Sequence, residues 1–386
     1  MANVTSNALN DFAKGQLGVL KVALQTQDEA LIKYQLSKLK VASELSELCS
    51  LVEKGANAQA LAMIDELLAF KVSEKCEFDD ECFARLVKWA DDNKIAADNF
   101  PREKERLVKL KEFSLGWESG LSSLPDEFAN LQSLEVLRLG YNEFQELPKL
   151  VDILARLKNL KELVLNGCGL ESLPDKFVNL QSLEVLHLGG NKFQELPKLV
   201  DILARLKNLK ELDLSGCDLE SLPDEFANLQ SLEKLVLGLS RVFQGFPNRF
   251  QEFPKVVDIL ARLKNLKELN LCDCDLKTLP DKFVNLQSLE RLNLSENKFQ
   301  EFPKALCGLE NLKELNLREC GLNSLPDEFI NLQNLEKLDL KDNKFQEFPK
   351  LVDILARLKN LKECDMLLYV DIYDDYMRVK AELNIK

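Results

Sequence analysis

Two adjacent stretches decide the fold: residues 134–159 read LEVLRLGYNEFQELPKLVDILARLKN, and residues 160–182 read LKELVLNGCGLESLPDKFVNLQS. Both begin with the same spacing of leucines, and the pair recurs with alternating periods of mainly 26 and 23 residues. Internal repetition of this length is typical of a protein built by stacking similar coils. The repeats predict eleven coils, which start at Leu110, Leu134, Leu160, Leu183, Leu209, Leu232, Leu266, Leu289, Leu312, Leu335 and Leu361.

The leucine spacing predicts one short strand in each coil. Leu137 and Leu139 stand two residues apart, so their side chains point to the same face of a strand, here the interior. Val136 and Arg138 then face the opposite, solvent side. The Asn or Cys that follows three residues after the second leucine turns back inside, where an amide can satisfy backbone groups that water does not reach. These inward positions are Asn142, Asn191, Asn297 and Asn343, in alternation with Cys168, Cys217, Cys274 and Cys320.

The second half of each coil alternates between two types. The longer coils carry PKLVDILARLK, which combines a helical spacing of apolar residues with a proline at the helix start. The shorter coils carry PDxFxNLQS, which has room for a single turn, with the phenylalanine in the core. Asp152 and Arg156, like Asp258 and Arg262, are expected to form ion pairs along a helix because they stand four residues apart.

The pattern LxxLxxLxLxx(N/C)xLxxLP is the leucine-rich repeat signature, and the chain resembles bacterial leucine-rich repeat proteins of the cytosolic type. The segment at residues 86–110 is similar to the one that precedes the first repeat in such proteins. The resemblance implies an α/β leucine-rich repeat solenoid, with a parallel β-sheet on the concave face, short helices on the convex face and a protein ligand on the concave face. Several bacterial members act as effectors inside host cells, which the resemblance extends to this chain as an expectation.

Three regions are predicted: an all-α N-terminal domain or cap at residues 1–105, the solenoid at 106–366 and a C-terminal cap at 367–386. Helices are expected near residues 6–24, 27–53, 57–72 and 79–93. A solenoid needs its first coil covered, because the leucines of that coil would otherwise face water. Residues 1–105 are therefore interpreted either as such a cap or as a separate interaction module or export-signal carrier.

Composition narrows the class of partner. The formal net charge is −13, which argues against binding nucleic acid or an anionic membrane, because both carry negative charge. No secretory signal peptide and no transmembrane run is visible. Cysteines in alternate coils stand too far apart for disulfides. These features predict a protein of the cytoplasm, or one exported into a host cell without a classical signal peptide; the oligomeric state stays open.

Motifs for catalysis or cofactor binding are missing from the sequence. With a single histidine in the chain, histidine-based metal sites and imidazole catalysis are not expected. Phosphate-binding loops and nucleophile elbows are absent as well, and Cys272 is the one thiol expected on the concave side. The sequence therefore predicts a non-catalytic protein without a cofactor or metal; the alternative is an adaptor or ligase-type enzyme that uses the N-terminal helical region.

The candidate binding surface is the concave face of the N-terminal coils. Valines cluster there together with aromatic residues and an arginine, which is the composition of an interface core. Valine also favours strands, so a purely structural role for these positions stays open. The candidate partner-binding residues are Trp117, Val136, Arg138, Tyr141, Val164, Val185, His187, Val236, Phe243 and Phe246.

One coil is interrupted. Residues 238–254 read GLSRVFQGFPNRFQEFP where other coils have GGNKFQELP, which indicates a slipped copy that adds eight residues. Phe243, Phe246, Arg249 and Phe250 are expected on a bulging loop. Two interpretations stay open: a tolerated loop insertion, or an exposed aromatic contact site for a partner.

Overall fold

The computed structural model describes residues 78–366 apart from 117–119, 145, 240–245 and 347, together with scattered positions before residue 78. The chain divides into two compact units, Met1–Asp79 and Asp80–Lys386. In the first unit, the described helical positions include Leu20, Leu48 and Ile64, which are fully buried. Most of the predicted helices at residues 6–72 and the predicted cap at 367–386 lie outside the described residues.

An eleven-stranded parallel sheet forms the centre of the second unit. Its strands follow one another in chain order without a crossover, because each coil returns the chain to a position beside the previous strand. Each strand has three residues, and equivalent residues lie in register, as Val136, Glu162 and Val185 do. The strands are β1 (Glu112–Ser114), β2 (Val136–Arg138), β3 (Glu162–Val164), β4 (Val185–His187), β5 (Glu211–Asp213), β6 (Lys234–Val236), β7 (Glu268–Asn270), β8 (Arg291–Asn293), β9 (Glu314–Asn316), β10 (Lys337–Asp339) and β11 (Glu363–Asp365).

The α-helices of the described chain lie at the N-terminal end and on the longer coils. The helices of the longer coils begin at a Leu-Pro or Phe-Pro pair, since proline fits the first turn, where no backbone donor is needed. The eight-residue helix on the coil of β2 buries Leu150, Val151, Ile153 and Leu154. The helices are α1 (Asp80–Asp92), α2 (Lys104–Leu107), α3 (Leu147–Leu154), α4 (Leu196–Leu203), α5 (Phe253–Leu260) and α6 (Phe348–Ala356).

The shorter coils carry a single 3-10 turn. In five of these turns one phenylalanine is fully buried beneath the turn: Phe128, Phe177, Phe226, Phe283 and Phe329. The coil of β8 is the exception, because its turn uses Leu306 instead. The 3-10 turns are Asp126–Asn130, Asp175–Asn179, Asp224–Asn228, Asp281–Asn285, Lys304–Gly308 and Asp327–Asn331.

Helix α1 covers the first coil. The Trp89 ring packs edge-on against Phe100, Phe113 and Phe128, with centroid separations of 5.5, 6.3 and 5.8 Å. All three phenylalanines are fully buried, and Phe113 is the inward residue of β1. Burial of these large rings stabilises the end of the solenoid, which a stack of coils requires. The described residues that cover this end thus belong to 80–107.

Side-chain amides join neighbouring coils just before the strands. Gln181 donates from Nε2 to the backbone oxygen of Arg205 in the next coil, at 3.1 Å. In return, Asn208 donates from Nδ2 to the backbone oxygen of Gln181, at 2.8 Å. The same exchange recurs at Gln230 and Asn265. This pairing explains the repeated NLQS and LKN segments, which satisfy the carbonyl groups left at the end of each turn.

Charges also alternate between coils just before each strand. Lys161 pairs with Glu135 at 3.1 Å, and Lys210 pairs with Glu184 at 2.7 Å. The pattern continues through Lys267–Glu233, Lys313–Glu290 and Lys362–Glu336. Odd-numbered coils supply the lysine and even-numbered coils the glutamate, so every coil meets opposite charges on its neighbours.

The predicted ion pairs within the convex helices are wrong. Asp152 binds Lys176 of the next coil, at 3.0 Å, and Asp258 binds Lys282, at 2.8 Å. Neither aspartate is within ion-pair distance of the arginine four residues later. Both lysines belong to the next coil, so these charges link coils instead of stabilising single helices.

Candidate functional site

The residues that alternate with the inward leucines form three rows along the concave side of the sheet, as the repeat predicts. The first row runs through the opening residue of every strand, the central row through the third residue, and the third row through the position two residues beyond. The register places His187 beside Val164 and Asp213. Leucines between the rows, such as Leu137, Leu163 and Leu186, are fully buried. In the third row, Asn166, Ser215, Cys272 and Ser295 are buried as well, so the concave face displays mainly the first and central rows.

Four half-buried valines, which we call the valine patch, lie on this face: Val136, Val164, Val185 and Val236. Val136 and Val185 occupy the first row of β2 and β4, while Val164 and Val236 occupy the central row of β3 and β6. Their burial comes from neighbouring side chains of the same sheet. All four valines are partly exposed, so the patch reaches solvent; its role in binding stays a prediction.

Arg138 is held in place by two carboxylates. Its guanidinium binds Glu112 of β1 on one side and Glu162 of β3 on the other, the latter at 2.8 Å from Nε. Both glutamates lie in the first row, one strand away on either side of the arginine. The arginine therefore sits at a fixed position beside Val136 and Val164, with its charge already compensated.

His187 belongs to a second charged cluster. Its Nε2 lies 3.2 Å from Oε1 of Glu211, which also binds Nζ of Lys234 at 2.8 Å. The hydrogen bond from His187, supported by Lys234, lowers the pKa of Glu211 to about 2, although burial of that carboxyl acts in the opposite direction. Glu211 is thus a permanently charged group, and it orients the imidazole at the edge of the valine patch.

Tyr141 lies at the end of β2, in a left-handed backbone conformation with φ 61°. Its ring covers Gly167 of the next coil so closely that a Cβ atom there would lie 2.5 Å from the ring. Burial raises the pKa of Tyr141, and the nearby charge of Asp213 adds to the effect. The phenol therefore extends the valine patch with an aromatic surface that stays uncharged at neutral pH.

The structure describes only some of the predicted aromatic contact residues. Phe246 is 58% exposed, and the ammonium group of Lys192 lies 5.6 Å from its ring centroid. Trp117 and Phe243 lie outside the described residues, so their assignment stays a prediction. Phe246 is therefore the one aromatic residue of the interrupted coil that the structure shows in contact with solvent.

The interrupted coil regains its register at Asn248, a residue that the sequence reading missed. Asn248 is fully buried; its Oδ1 accepts from the amide of Leu219 at 2.8 Å, and its Nδ2 donates to the carbonyls of Leu214 and Leu237. Asn191 makes the same three contacts in its own coil. Eleven residues separate Leu237 from Asn248, against three from Leu188 to Asn191, so the added residues precede the asparagine.

This placement corrects one prediction for the loop. Phe250 follows the restored asparagine and is buried to 9% exposure, where it packs 6.0 Å from the ring of Phe253. It therefore belongs to the core and does not lie on a bulge. The segment NRFQEFP at residues 248–254 matches NKFQELP at residues 191–197, and this match is the signal that could have located the register.

The C-terminal half of the concave face forms a shallow groove of about 490 Å³, which we call the C-terminal groove. Its walls come from β6 to β11. The first row alternates in sign along the groove, through Lys234, Glu268, Arg291, Glu314, Lys337 and Glu363. The central row is polar throughout from β7 onward, in contrast to the valine patch.

The central-row polar side chains also end their strands. Oδ1 of Asn293 accepts the backbone amide of Ser295, two residues on, at 3.0 Å. Asn270, Asn316 and Asp339 accept in the same way from Cys272, Arg318 and Lys341. Asparagine and aspartate favour this hydrogen bond from the backbone amide two residues on. In the asparagines, it leaves the side-chain nitrogen directed away from that backbone amide. The leucine spacing predicts the central-row position of these residues but gives no sign of that role.

Thiol chemistry is not supported on the concave face. Cys272 was expected there as an accessible thiol, but it is buried to 6% exposure, where Ser295 donates a hydrogen bond to its sulfur at 3.2 Å. That prediction is wrong because the third-row position after β7 is covered by the next coil. Burial also raises the pKa of Cys320 to about 12. Thiols with such a pKa are poor nucleophiles at neutral pH.

The described residues contain no group of three or more histidine, cysteine or acidic side chains placed to hold a metal ion. Among the same residues, no helix has the length and apolar character needed to cross a lipid bilayer.

Comparison with known proteins agrees with this architecture. Residues 236–380 match the family model described as a leucine-rich repeat region, and residues 158–219 match the model described as a leucine rich repeat. A comparison with curated proteins finds no match. Leucine-rich repeat domains generally mediate protein–protein interactions and are typically non-catalytic scaffolds.

Solved structures show the same type of fold. An internalin of Listeria monocytogenes is 20% identical, with a TM-score of 0.48, over 73% of this chain and 81% of that one. A leucine-rich repeat protein of Leptospira interrogans is 25% identical, with a TM-score of 0.39, over 74% of this chain and 92% of the other. The TLR13–ssRNA13 complex matches at 24% identity and a TM-score of 0.52, over 68% of this chain and 40% of that one. With its repeats, its parallel sheet and both family models, the chain is a leucine-rich repeat protein.

Proposed function

We propose that this protein binds a protein partner on the concave face of its solenoid, with the valine patch at the centre of the contact. The observation that carries the proposal is the set of half-buried valines on a sheet face that otherwise displays charged and polar groups. Apolar side chains on such a face gain free energy when a partner removes them from water. Arg138, His187 and Tyr141 surround them with oriented polar and aromatic groups, as in the rim of an interface.

A protein suits this surface better than a nucleic acid. The chain carries a formal net charge of −13, and the arginine and lysine beside the patch already pair with Glu112, Glu162 and Glu211. Little positive charge is left to neutralise phosphates, on which nucleic-acid affinity depends. The same argument disfavours an anionic membrane as the docking surface.

The test is capture of a partner by the wild-type protein and by the double variant Val164→Asp with Val185→Asp. Two charges placed on the patch should reduce the captured amount at least tenfold, since each would have to be buried in the contact. Val108→Asp with Val178→Asp is the matched control, because these valines are partly exposed outside the concave face. Circular dichroism checks that both variants fold.

Three outcomes decide the matter. Loss of a wild-type partner only in the patch variant supports the proposal. Equal capture by the wild type and the patch variant contradicts it, and so does equal loss in the control variant, because the effect would then not depend on the concave face.

The cellular setting is part of the same proposal. The resemblance to bacterial leucine-rich repeat proteins supports a cytoplasmic protein or an effector that reaches a host cytoplasm. Fractionation of producing cells and of host cells exposed to them, with detection of the tagged chain, tests this setting. Recovery only from the extracellular medium or an envelope fraction would contradict it.

A further inference from the structure

The positive charges of the C-terminal groove are all compensated within the sheet. Lys234 binds Glu211, and Arg291 binds Glu268. Lys337 binds Glu363 at 3.5 Å. In the third row, Arg318 binds Asp342 at 2.8 Å and Lys341 binds Asp365 at 3.0 Å. Each cation of this half of the concave face therefore has a carboxylate on the neighbouring coil.

Two carboxylates of the groove form no ion pair, although each lies in the field of a nearby cation: Glu314 in that of Arg291 and Asp339 in that of Lys341. Glu314 lies in register between Arg291 and Lys337, but both of these cations turn to the glutamates on their other side. Asp339, in the central row of the adjacent strand, uses Oδ1 to accept the amide of Lys341. Among the described residues, neither carboxylate has an ion-pair partner within 4 Å, and both side chains are half-buried on the open face.

A row of amide donors leads to these carboxylates. Asn270, Asn293 and Asn316 lie in register on β7, β8 and β9, at the spacing of about 4.8 Å between neighbouring strands. Their oxygens are occupied by backbone amides, so their nitrogens are free to point into the groove. Within the described chain no acceptor binds these nitrogens. The row therefore presents donors that a run of carbonyl oxygens could accept.

From these features we propose that the C-terminal groove binds an extended, basic peptide segment of a protein partner. Backbone carbonyls of the segment accept from the three asparagine amides, and one arginine or lysine side chain lies between Glu314 and Asp339. An acidic segment would meet two carboxylates that form no ion pair, and a folded apolar surface would leave the amide donors unpaired. The inference rests on the proposed function in that the concave face binds protein, but it assigns residues other than the valine patch.

The test uses fluorescein-labelled eight-residue peptides of alternating serine and arginine, serine and glutamine, or serine and glutamate. Fluorescence anisotropy with the full chain should show binding of the arginine peptide only, and the affinity should fall as salt rises. Glu314→Gln with Asp339→Asn should weaken that binding roughly tenfold, since partly exposed ion pairs contribute up to about 1 kcal/mol each. Asparagine already stands at the position of Asp339 on three neighbouring strands, so the variant keeps the local hydrogen bond.

Asp224→Asn with Glu225→Gln is the control. It removes the same charge from the convex 3-10 turn Asp224–Asn228, and it should change the affinity by less than about twofold. Equal weakening by both variants would overturn the proposal, because the arginine peptide would then respond only to the net charge. Tight binding of the glutamine or glutamate peptide, or no binding of the arginine peptide, would overturn it as well.

The proposals for the valine patch and for the C-terminal groove can be contradicted independently. Val164→Asp with Val185→Asp leaves the groove intact, so arginine-peptide binding should not weaken in that variant even if partner capture is lost. Conversely, Glu314→Gln with Asp339→Asn can abolish peptide binding while the valine patch still captures its partner. Failure of the groove therefore does not imply failure of the proposed function.

Discussion

At the scale of single residues, the bend after each strand depends on backbone conformations that most side chains avoid. Except at Pro247, which precedes Asn248, the residue before the inward asparagine or cysteine is left-handed, as in Tyr141, Gly190 and Glu296. In the cysteine coils the residue after the cysteine is left-handed too, as in Gly169 and Asp275. Such conformations cost about 1–2 kcal/mol for residues with a Cβ atom. The buried hydrogen bonds of the inward side chains offset that cost.

Asn248 provides the sharpest test of these bonds. Asn248→Ala should lower the free energy of unfolding by about 3 kcal/mol, because it leaves one buried amide and two buried carbonyls without a partner. Asn248→Cys should cost less, since cysteines fill the equivalent position in alternate coils, where Cys168 reaches the carbonyl of Leu139 at 3.3 Å. Urea unfolding measures both; a loss no larger than that of exposed Asn323→Ala contradicts the assignment.

Because of Glu211, the free energy of unfolding should decrease at low pH. Its pKa is about 2 in the folded protein against an ordinary value of 4.5, so its contribution is present above pH 4.5 and is lost as the pH falls towards 2. Glu211→Gln should therefore flatten the decline of the urea midpoint between pH 4.5 and 2.5. If the wild type and the variant decline in parallel over this range, the pairing with His187 and Lys234 is not significant in solution.

At the scale of elements, helix α1 ends in a strained position that a substitution can relieve. Lys94 follows the helix with φ 55°. The amide of Ile95 bonds to the carbonyl of Ala90 at 2.8 Å, and that of Lys94 bonds to Asp91 at 2.9 Å. This is the Schellman pattern, in which the left-handed position favours glycine. Lys94 is therefore less favourable than glycine at the end of the helix that covers the first coil.

Lys94→Gly should raise the free energy of unfolding by up to about 1 kcal/mol, because glycine adopts the left-handed conformation without a steric cost. Thermal unfolding followed by the fluorescence of Trp89 and by circular dichroism measures the change. Lys109→Gly is the control, and no gain is expected there because Lys109 is not among the residues with positive φ. A lower midpoint for Lys94→Gly would contradict the helix end described above.

At the scale of the whole molecule, the unit of stability is a pair of coils. A long coil with a helix lies beside a short coil with a single turn, and lysines before one strand meet glutamates before the next. The coil of β8 departs from the alternation of turns, since it carries a short turn, but it keeps Glu290 and Arg291 in the charge pattern. The alternation of charge therefore continues along the stack even where the alternation of helices and 3-10 turns is interrupted.

Two deletions separate the pair of coils from the single coil. Removal of residues 160–208 takes out one whole pair and should leave a cooperatively folded, slightly less stable solenoid. Removal of residues 160–182 takes out fewer residues, but it places helices α3 and α4 side by side and brings Glu135 beside Glu184. The shorter deletion should thus unfold at the lower temperature in calorimetry; the opposite order contradicts the two-coil unit.

Most of the solenoid fold can be predicted from the sequence, because the same leucine pattern occurs in every coil. The three concave rows, the inward asparagines and cysteines and the alternating turns follow from leucine spacing alone. The interrupted coil occurs only once in the chain. Its register depends on a choice between two similar motifs, FQGFP and FQEFP. From the sequence alone, Phe250 is therefore predicted to lie outside the core. Cys272 was misplaced because its burial depends on the distance between neighbouring coils: a Cβ on Gly238 would lie 2.1 Å from the nitrogen of Cys272.

The central claim is that partners contact the concave face and not the helices. A photo-reactive benzoylphenylalanine in place of Val185 on β4, or in place of Lys198 on the exposed side of α4, tests it in a mixture with a captured partner. We predict cross-linking from position 185 and none from position 198. Cross-linking from position 198 alone would contradict the account.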